Sequence, residues 1–163
     1  MPADRDLRLT LWCDGAARGN PGPAGIGVVV AAEDGTVLAE IAEGIGIATN
    51  NVAEYTAAIR GLERARDLGA TEVWLRSDSR LMIEQLSGRF KVKNPTLQRL
   101  HRQARSLAEA FARVGFEHVP REQNADADRL ANRGVDEWLA GEGASWERPP
   151  PSPRLWEAEE EPP

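Results

Sequence analysis

The alternation of apolar and polar residues near the start of the chain predicts β-strands. Leu7 to Cys13 alternates with a period of two, and this strand is predicted to end at Asp14-Gly15. An apolar, glycine-spaced run from Gly25 to Ala32 and a segment from about Thr36 to Gly44 predict two more strands. The Asp34-Gly35 pair between them is a hairpin signal. We therefore predict a three-stranded antiparallel meander.

The pattern takes the period of a helix after residue 50. Asn50 or Asn51 is predicted to cap this helix, Glu54 to lie in its first turn and Gly69 to end it. Apolar residues recur along it at helical spacing: Val52, Tyr55, Ile59, Leu62 and Ala65.

The second half of the chain predicts two strands and three helices. A short strand from Glu72 to Arg76 precedes Ser77-Asp78-Ser79, which is predicted to cap a short helix. Pro95 is placed at the start of a third helix that runs to about Arg113. Phe116 to Val119 is predicted as the last strand. The final helix covers about Asn124 to Leu139, with Leu130, Ala131, Val135, Trp138 and Leu139 facing inward. The order βββαβααβα predicts an α/β fold, in which one mixed sheet carries helices on its faces.

Length and composition favour one globular domain followed by a tail. The chain has 163 residues, and we expect residues 1–140 to form a single domain with its own core. Residues 141–163 contain three consecutive prolines and four glutamates between Glu157 and Glu161, which is typical of an extended acidic tail. An alternative is that these glutamates lie over a basic patch and compete with nucleic acid.

Two further features bear on the compartment. No run of about 18 apolar residues is present, and the charged N-terminus lacks the apolar stretch of a signal peptide, so no membrane association is expected. The single cysteine, Cys13, cannot form an internal disulfide, which favours a cytoplasmic location.

The charge is unevenly distributed. The chain carries a net charge of -6, yet residues 76–113 hold nine basic and three acidic residues, a local charge of +6. This stretch is either a solvated helical face or a phosphate-binding patch, because local charge can steer a polyanion onto an acidic protein.

Four acidic residues stand at the ends or beginnings of predicted elements: Asp14, Glu54, Asp78 and Asp128. Each alone is compatible with a helix cap or a surface charge. Together, crowded carboxylates repel one another and stay ionised when a cation neutralises them, and oxygen ligands suit Mg²⁺ or Mn²⁺. No histidine and cysteine cluster supports zinc, and no Ser-His-Asp arrangement is apparent with two histidines in the chain.

Four sequence blocks resemble ribonuclease HI. DGAARGNPGPAG (residues 14–25) is similar to the first block of that family, and TNNVAEY (49–55) to the second. SDS (77–79) is similar to the third and NADADRLA (124–131) to the fourth. The blocks occur in family order, and each lies on the element that the periodicity predicts.

The resemblance implies a ribonuclease H-like fold with a five-stranded mixed sheet, in which two parallel strands extend the meander. It implies hydrolysis of the RNA strand of RNA–DNA hybrids with two Mg²⁺ ions, for which Mn²⁺ is a substitute, and products with 3′-hydroxyl and 5′-phosphate ends. Asp14, Glu54, Asp78 and Asp128 match the metal ligands. Asp126 competes for the fourth position, but the Asp-x-Leu-Ala pattern falls on Asp128. His118 matches a family histidine that assists proton transfer or product release; the alternative is a solvent-exposed strand-end histidine.

The resemblance also implies contacts with the substrate. Gly15 and the turn containing Asn20 are predicted to approach a ribose, because glycine lets the backbone come close. Asn50 and Asn51 match residues that contact both strands in the minor groove, and Thr49 matches a DNA-phosphate contact. Residues 87–94 are too short for the basic protrusion that some members carry. Lys91 and Lys93 are predicted to contact DNA-strand phosphates instead.

Two other functions remain open from the sequence. One is the same chemistry on double-stranded RNA or RNA–DNA junctions, and the other is a noncatalytic nucleic-acid-binding module, because a fold does not fix an activity. We expect a monomer with no protein partner. The glycine-rich turn lacks both the G-x-G-x-x-G spacing and the lysine of a nucleotide-binding loop.

Overall fold

A computed structural model describes residues 6–143, which form five strands and four helices in the predicted order. The strands are β1 (Arg8–Ala17), β2 (Gly22–Ala32), β3 (Val37–Ala48), β4 (Glu72–Ser77) and β5 (Arg113–His118). The helices are α1 (Asn50–Asp67), α2 (Arg80–Leu86), α3 (Pro95–Ala108) and α4 (Ala125–Gly143), and a 3-10 turn covers Arg121–Asn124.

The strands form one mixed sheet in the order β3-β2-β1-β4-β5. β1 pairs antiparallel with β2 and β2 with β3, which confirms the predicted meander. β4 runs parallel to both β1 and β5. The β1–β4 ladder ends at the pair Cys13 and Ser77, so Asp14 and Asp78 follow directly at the same edge of the sheet.

Helices cover both faces of the sheet. Alternate β1 residues Leu9, Leu11 and Cys13 are buried against α1, and a Cβ on Gly61 of that helix would lie 3.2–3.3 Å from Cys13 and Leu11 side-chain atoms. The opposite face packs on α4 through glycines. A Cβ on Gly27 would lie 2.1 Å from the Ala127 carbonyl oxygen, so this helix requires glycine beneath it.

Several predicted boundaries were wrong. β1 continues through Asp14 to Ala17, because residues 14–17 pair with β2. β2 begins three residues earlier than predicted, and β3 runs to Ala48. α3 ends at Ala108 rather than Arg113, since Phe111 turns into the core and β5 already begins at Arg113.

Two helix details also differ from the prediction. Thr49, not Asn50 or Asn51, caps α1, and its hydroxyl accepts a hydrogen bond of 3.2 Å from the Val52 N–H. Glu54 therefore lies in the second turn. In α4 the predicted inward residues are buried except Leu139, which is 37% exposed.

The predicted tail falls largely outside the described residues. α4 continues to Gly143, three residues past the predicted boundary, and residues 144–163 are not described. Within residues 6–143, no helix is long and apolar enough to cross a bilayer.

Candidate active site

Three carboxylates from three elements converge at one edge of the sheet. Asp14 comes from β1, Glu54 from α1 and Asp78 from the residue after β4. One oxygen from each lies within 4.8 Å of the others. Asp14 and Glu54 are buried and Asp78 is half-buried. The end of the parallel ladder explains the placement, because strands that separate there leave room for side chains between them.

Gly15 holds Glu54 against the strand. Its N–H donates a hydrogen bond of 3.0 Å to Glu54 Oε1. A Cβ on Gly15 would lie 2.3 Å from the Ala53 carbonyl carbon and 2.4 Å from the Glu54 nitrogen, so β1 and α1 meet there at backbone distance. Gly15 was predicted to let the backbone approach a ribose. In the structure, the close backbone contact at Gly15 is with α1.

The electrostatics of the cluster favour a bound cation. Burial, and then repulsion by Asp78 and Asp128, raises the pKa of Asp14 to about 8. Burial and repulsion by Asp14 and Asp78 raise the pKa of Glu54 well above its usual value, which the Gly15 N–H only partly offsets. A divalent cation would relieve this repulsion, because it replaces protons on the crowded carboxyls and is bound by their ionised oxygens.

The cluster opens into a cavity of about 530 Å³, and its lining separates the two candidate fourth acids. Asp128 lies in the first turn of α4, lines this cavity and raises the pKa of Asp14. The side chain of Asp126 is 77% exposed, pairs with Arg129 at 3.6 Å and lines a different depression. The geometry therefore brings Asp128, and not Asp126, to the three-acid cluster.

Two further side chains, one from the last residue of β5 and one from the 3-10 turn before α4, reach the cavity. His118 is an exposed strand-end residue that lines the cavity. Arg121 lines it as well, and it forms no ion pair with any acid among residues 6–143. Sequence reasoning missed Arg121. Its position in the loop just before the fourth block, seven residues ahead of Asp128, was the available signal.

Asn124 is a second residue whose role sequence reasoning missed. Its side chain is 1% exposed, and its Nδ2 donates a 2.9 Å hydrogen bond to the Cys13 carbonyl. This bond joins the start of α4 to the β1 residue that precedes Asp14. It therefore fixes where Asp128 stands relative to Asp14.

The other predicted substrate-contacting residues fall into three groups. Asn20, Asn50 and Asn51 are exposed near the cavity, and Asn20 Oδ1 accepts a 2.9 Å hydrogen bond from the Asn50 N–H. Thr49 is buried as the α1 cap. Lys91 and Lys93 are exposed on the loop between α2 and α3 and do not line the carboxylate cavity.

Comparisons with known proteins agree on the family. Residues 12–134 match the family model described as reverse transcriptase-like. The chain is 46% identical over 134 residues to ribonuclease HI of Halobacterium salinarum, covering 82% of this chain and 67% of that protein. It is 53% identical over 131 residues to a bifunctional protein of Mycobacterium tuberculosis. That match covers 80% of this chain but only 36% of the relative's length.

A comparison with a solved structure supports the same family. LC11-RNase H1, determined in complex with an RNA/DNA hybrid, superposes with a TM-score of 0.77 at 44% identity, covering 80% of this chain and 99% of that one. The region matched by the family model, residues 12–134, contains all four acidic blocks. The chain belongs to the ribonuclease H family.

Proposed function

We propose that this chain is an endonuclease that hydrolyses the RNA strand of RNA–DNA hybrids and leaves 3′-hydroxyl and 5′-phosphate ends. The observation that carries the proposal is the convergence of three carboxylates within 4.8 Å of one another at an open cavity. Family membership and the hybrid bound to the related LC11-RNase H1 support the choice of substrate.

The donor set fits a hard divalent cation. All donors of the cluster are carboxylate oxygens, and burial, followed by repulsion between the carboxylates, raises the pKa of Asp14 and Glu54. We propose Mg²⁺, with Mn²⁺ as a substitute, held by Asp14, Glu54, Asp78 and Asp128. Two such ions would supply activation of a water molecule and stabilisation of the leaving oxygen.

The protein groups around the cluster have separate tasks in this proposal. The Gly15 N–H keeps Glu54 Oε1 turned towards Asp14, and the Asn124 bond to Cys13 keeps Asp128 beside it. We assign to His118, which lines the cavity, the transfer of a proton to or from the reacting phosphate. Arg121 offers a permanent positive charge to the same phosphate.

Recognition of the hybrid is assigned to groups outside the cluster. The amides of Asn20, Asn50 and Asn51 are exposed beside the cavity, and Asn50 and Asn51 are not used as helix caps, so their side chains can reach minor-groove edges and 2′-hydroxyls. Gly15 lines the cavity beside these asparagines. Thr49 is assigned a contact with a phosphate of the DNA strand. Lys91 and Lys93 are assigned to phosphates of the DNA strand.

We further propose that the catalytic domain, predicted to end at residue 140, extends to the end of α4 at Gly143, that an acidic tail follows it and that the protein acts as a cytosolic monomer. The support for the compartment is the single, fully buried Cys13, which needs no oxidising environment.

Cleavage assays with labelled substrates test the function. RNA–DNA, RNA–RNA, DNA–DNA, RNA–DNA junctions and single strands are each incubated with Mg²⁺, Mn²⁺ or EDTA, using the wild type and Asp14→Asn. We expect metal-dependent cutting of only the RNA in the hybrid, lost in the variant. Cutting of double-stranded RNA or of junctions alone would reassign the substrate, and binding without cutting would indicate a noncatalytic module.

A further inference from the structure

The loop between α2 and α3 carries two lysines on a short segment with no helix of its own. It spans residues 87–94 and turns at Gly88, whose φ is +84°. Val92 packs against the core, whereas Lys91 and Lys93 on either side of it are exposed. Within the part of the chain that the structure describes, neither lysine forms an ion pair, so both charges are available to a phosphate.

A buried amide from α2 holds this loop from beneath. Gln85 is 6% exposed, and its Oε1 accepts a hydrogen bond of 2.6 Å from the Tyr55 hydroxyl. Its Nε2 donates to the Lys91 carbonyl over 3.3 Å. Tyr55 is 1% exposed and follows Glu54 in α1. Hydrogen bonds therefore connect the helix that bears Glu54 to the backbone of Lys91.

A second amide, from α3, holds the next residue of the loop. The side-chain Nε2 of Gln98 donates a 2.9 Å hydrogen bond to the Val92 carbonyl. Asn94 caps α3 through the Leu97 N–H at 3.0 Å, so the loop is also fixed where it enters that helix. Two consecutive carbonyls, those of Lys91 and Val92, thus accept side-chain amides from two different helices.

This arrangement fixes the backbone between the two lysines before any ligand arrives. A restrained loop loses less conformational entropy when it binds, which raises affinity without a new contact. Gln98 is exposed, and its side chain donates a hydrogen bond to the loop rather than packing in the core. Core packing therefore does not account for a glutamine at this position.

We propose that Gln85 and Gln98 are positioning residues for hybrid binding. Their hydrogen bonds to the Lys91 and Val92 carbonyls form a clamp that holds the loop in one conformation. Lys91 and Lys93 are therefore already in position when they bind the DNA-strand phosphates. The inference rests on the proposed function, because it assigns those phosphates to the two lysines.

Gln98→Ala tests the exposed arm of the clamp, with Gln103→Ala as the matched control. Both glutamines are exposed on α3, but within the described residues the Gln103 side chain makes no hydrogen bond. We expect Gln98→Ala to raise KM for the hybrid about 2- to 10-fold with unchanged kcat. Amide hydrogen exchange should accelerate at residues 90–93 in Gln98→Ala alone. Wild-type KM and exchange in that variant would overturn the inference.

A double-mutant cycle ties the clamp to the lysine. Lys91→Ala alone should raise KM and lower the slope of log KM against log salt by roughly 1. In the Gln98→Ala background the same change should raise KM by a smaller factor, because the lysine is no longer held in place. Effects that simply multiply would show that the two residues act independently and would overturn the clamp.

Tyr55→Phe tests the buried arm. It removes the hydroxyl that fixes Gln85 and leaves Glu54 untouched, so we expect a higher KM with unchanged kcat. A lower kcat at unchanged KM would instead indicate a structural effect on the metal site and would count against this arm.

These outcomes separate the inference from the function on which it rests. Absence of hybrid cleavage by the wild type overturns the proposed function. Cleavage with KM unaffected by Lys91→Ala and Lys93→Ala overturns the phosphate assignment and the clamp together. A higher KM in Lys91→Ala but not in Gln98→Ala overturns only the clamp.

Discussion

The N–H of Gly15 donates a hydrogen bond to Glu54 Oε1 at a point where β1 and α1 touch through their backbones. Gly15→Ala inserts a methyl group 2.3 Å from the Ala53 carbonyl carbon, which forces the helix away from the strand. We expect the free energy of unfolding to fall by about 2–3 kcal/mol and kcat to fall with it, because Glu54 moves with the helix.

Urea unfolding and cleavage rates measure both effects. Gly61→Ala, in α1, is the control. A Cβ on Gly61 would lie 3.2–3.3 Å from side-chain atoms, and these atoms can shift slightly. This variant should cost less stability and preserve kcat. Equal losses in the two variants would show that Gly15 has no special tie to Glu54.

Asp14→Asn should abolish activity and metal-induced stabilisation together. We expect cleavage to fall at least about a thousandfold, because the variant removes one of the charges that hold the cations. Addition of Mg²⁺ should raise the Tm of the wild type by preferential binding to the native state, and leave the Tm of the variant unchanged. An equal rise in both proteins would place the cations elsewhere.

The metal-free protein should lose stability as pH rises. The pKa of Asp14 is about 8 in the folded chain against 3.8 for a free side chain, so between these values the native carboxyl keeps a proton that the unfolded one has released. The contribution of Asp14 to the free energy of unfolding is complete below pH 4, declines between pH 4 and pH 8 and is absent above pH 8.

Thermal unfolding in EDTA across this range checks the sign. The wild-type Tm should fall more steeply with pH than that of Asp14→Asn, in which the group cannot titrate. Mg²⁺ should counteract the fall, because ligand oxygens bind the ion in their ionised form. Parallel wild-type and variant curves in EDTA would contradict the raised pKa.

The fold and three of the acids were predictable because each depends on a local signal. Period-two and helical patterns fixed the element order, and Asp14, Glu54 and Asp78 lie at positions marked by those elements. Boundaries depended on tertiary contacts. Thr49 and Asn50 are both good cap residues, but the Asn50 N–H bonds Asn20 across 30 residues of sequence, which no local pattern reveals.

The end of α3 shows the same limit. Residues 109–112 contain good helix formers, so propensity extends the helix to Arg113, whereas burial of Phe111 and the pairing of Arg113 with Glu72 end it earlier. Arg121 and the clamp on the Lys91 loop were not predicted, because their importance comes from neighbours that are distant in sequence.

His118 and Arg121 should affect different kinetic constants. His118→Ala removes a group that carries protons, so we expect kcat between pH 6 and 9 to fall at least about tenfold. Arg121→Gln removes a permanent charge from the same cavity and should raise KM and lower its salt dependence. An undiminished kcat in His118→Ala across this range would assign it to the solvent-exposed surface.

Asp128 and Asp126 provide the sharpest comparison, because they differ by two positions on one helix and face different surroundings. Asp128 lines the carboxylate cavity beside Asp14, whereas Asp126 points to solvent and pairs with Arg129. Asp128→Asn should therefore lower kcat by at least about a hundredfold and raise the Mg²⁺ concentration needed for half-maximal activity. Asp126→Asn should leave both within about twofold, since exposed ion pairs contribute little. A loss of activity in Asp126→Asn, with Asp128→Asn active, would reverse the assignment and require α4 to turn by two residues relative to β1. The Asn124 bond to the Cys13 carbonyl opposes that turn.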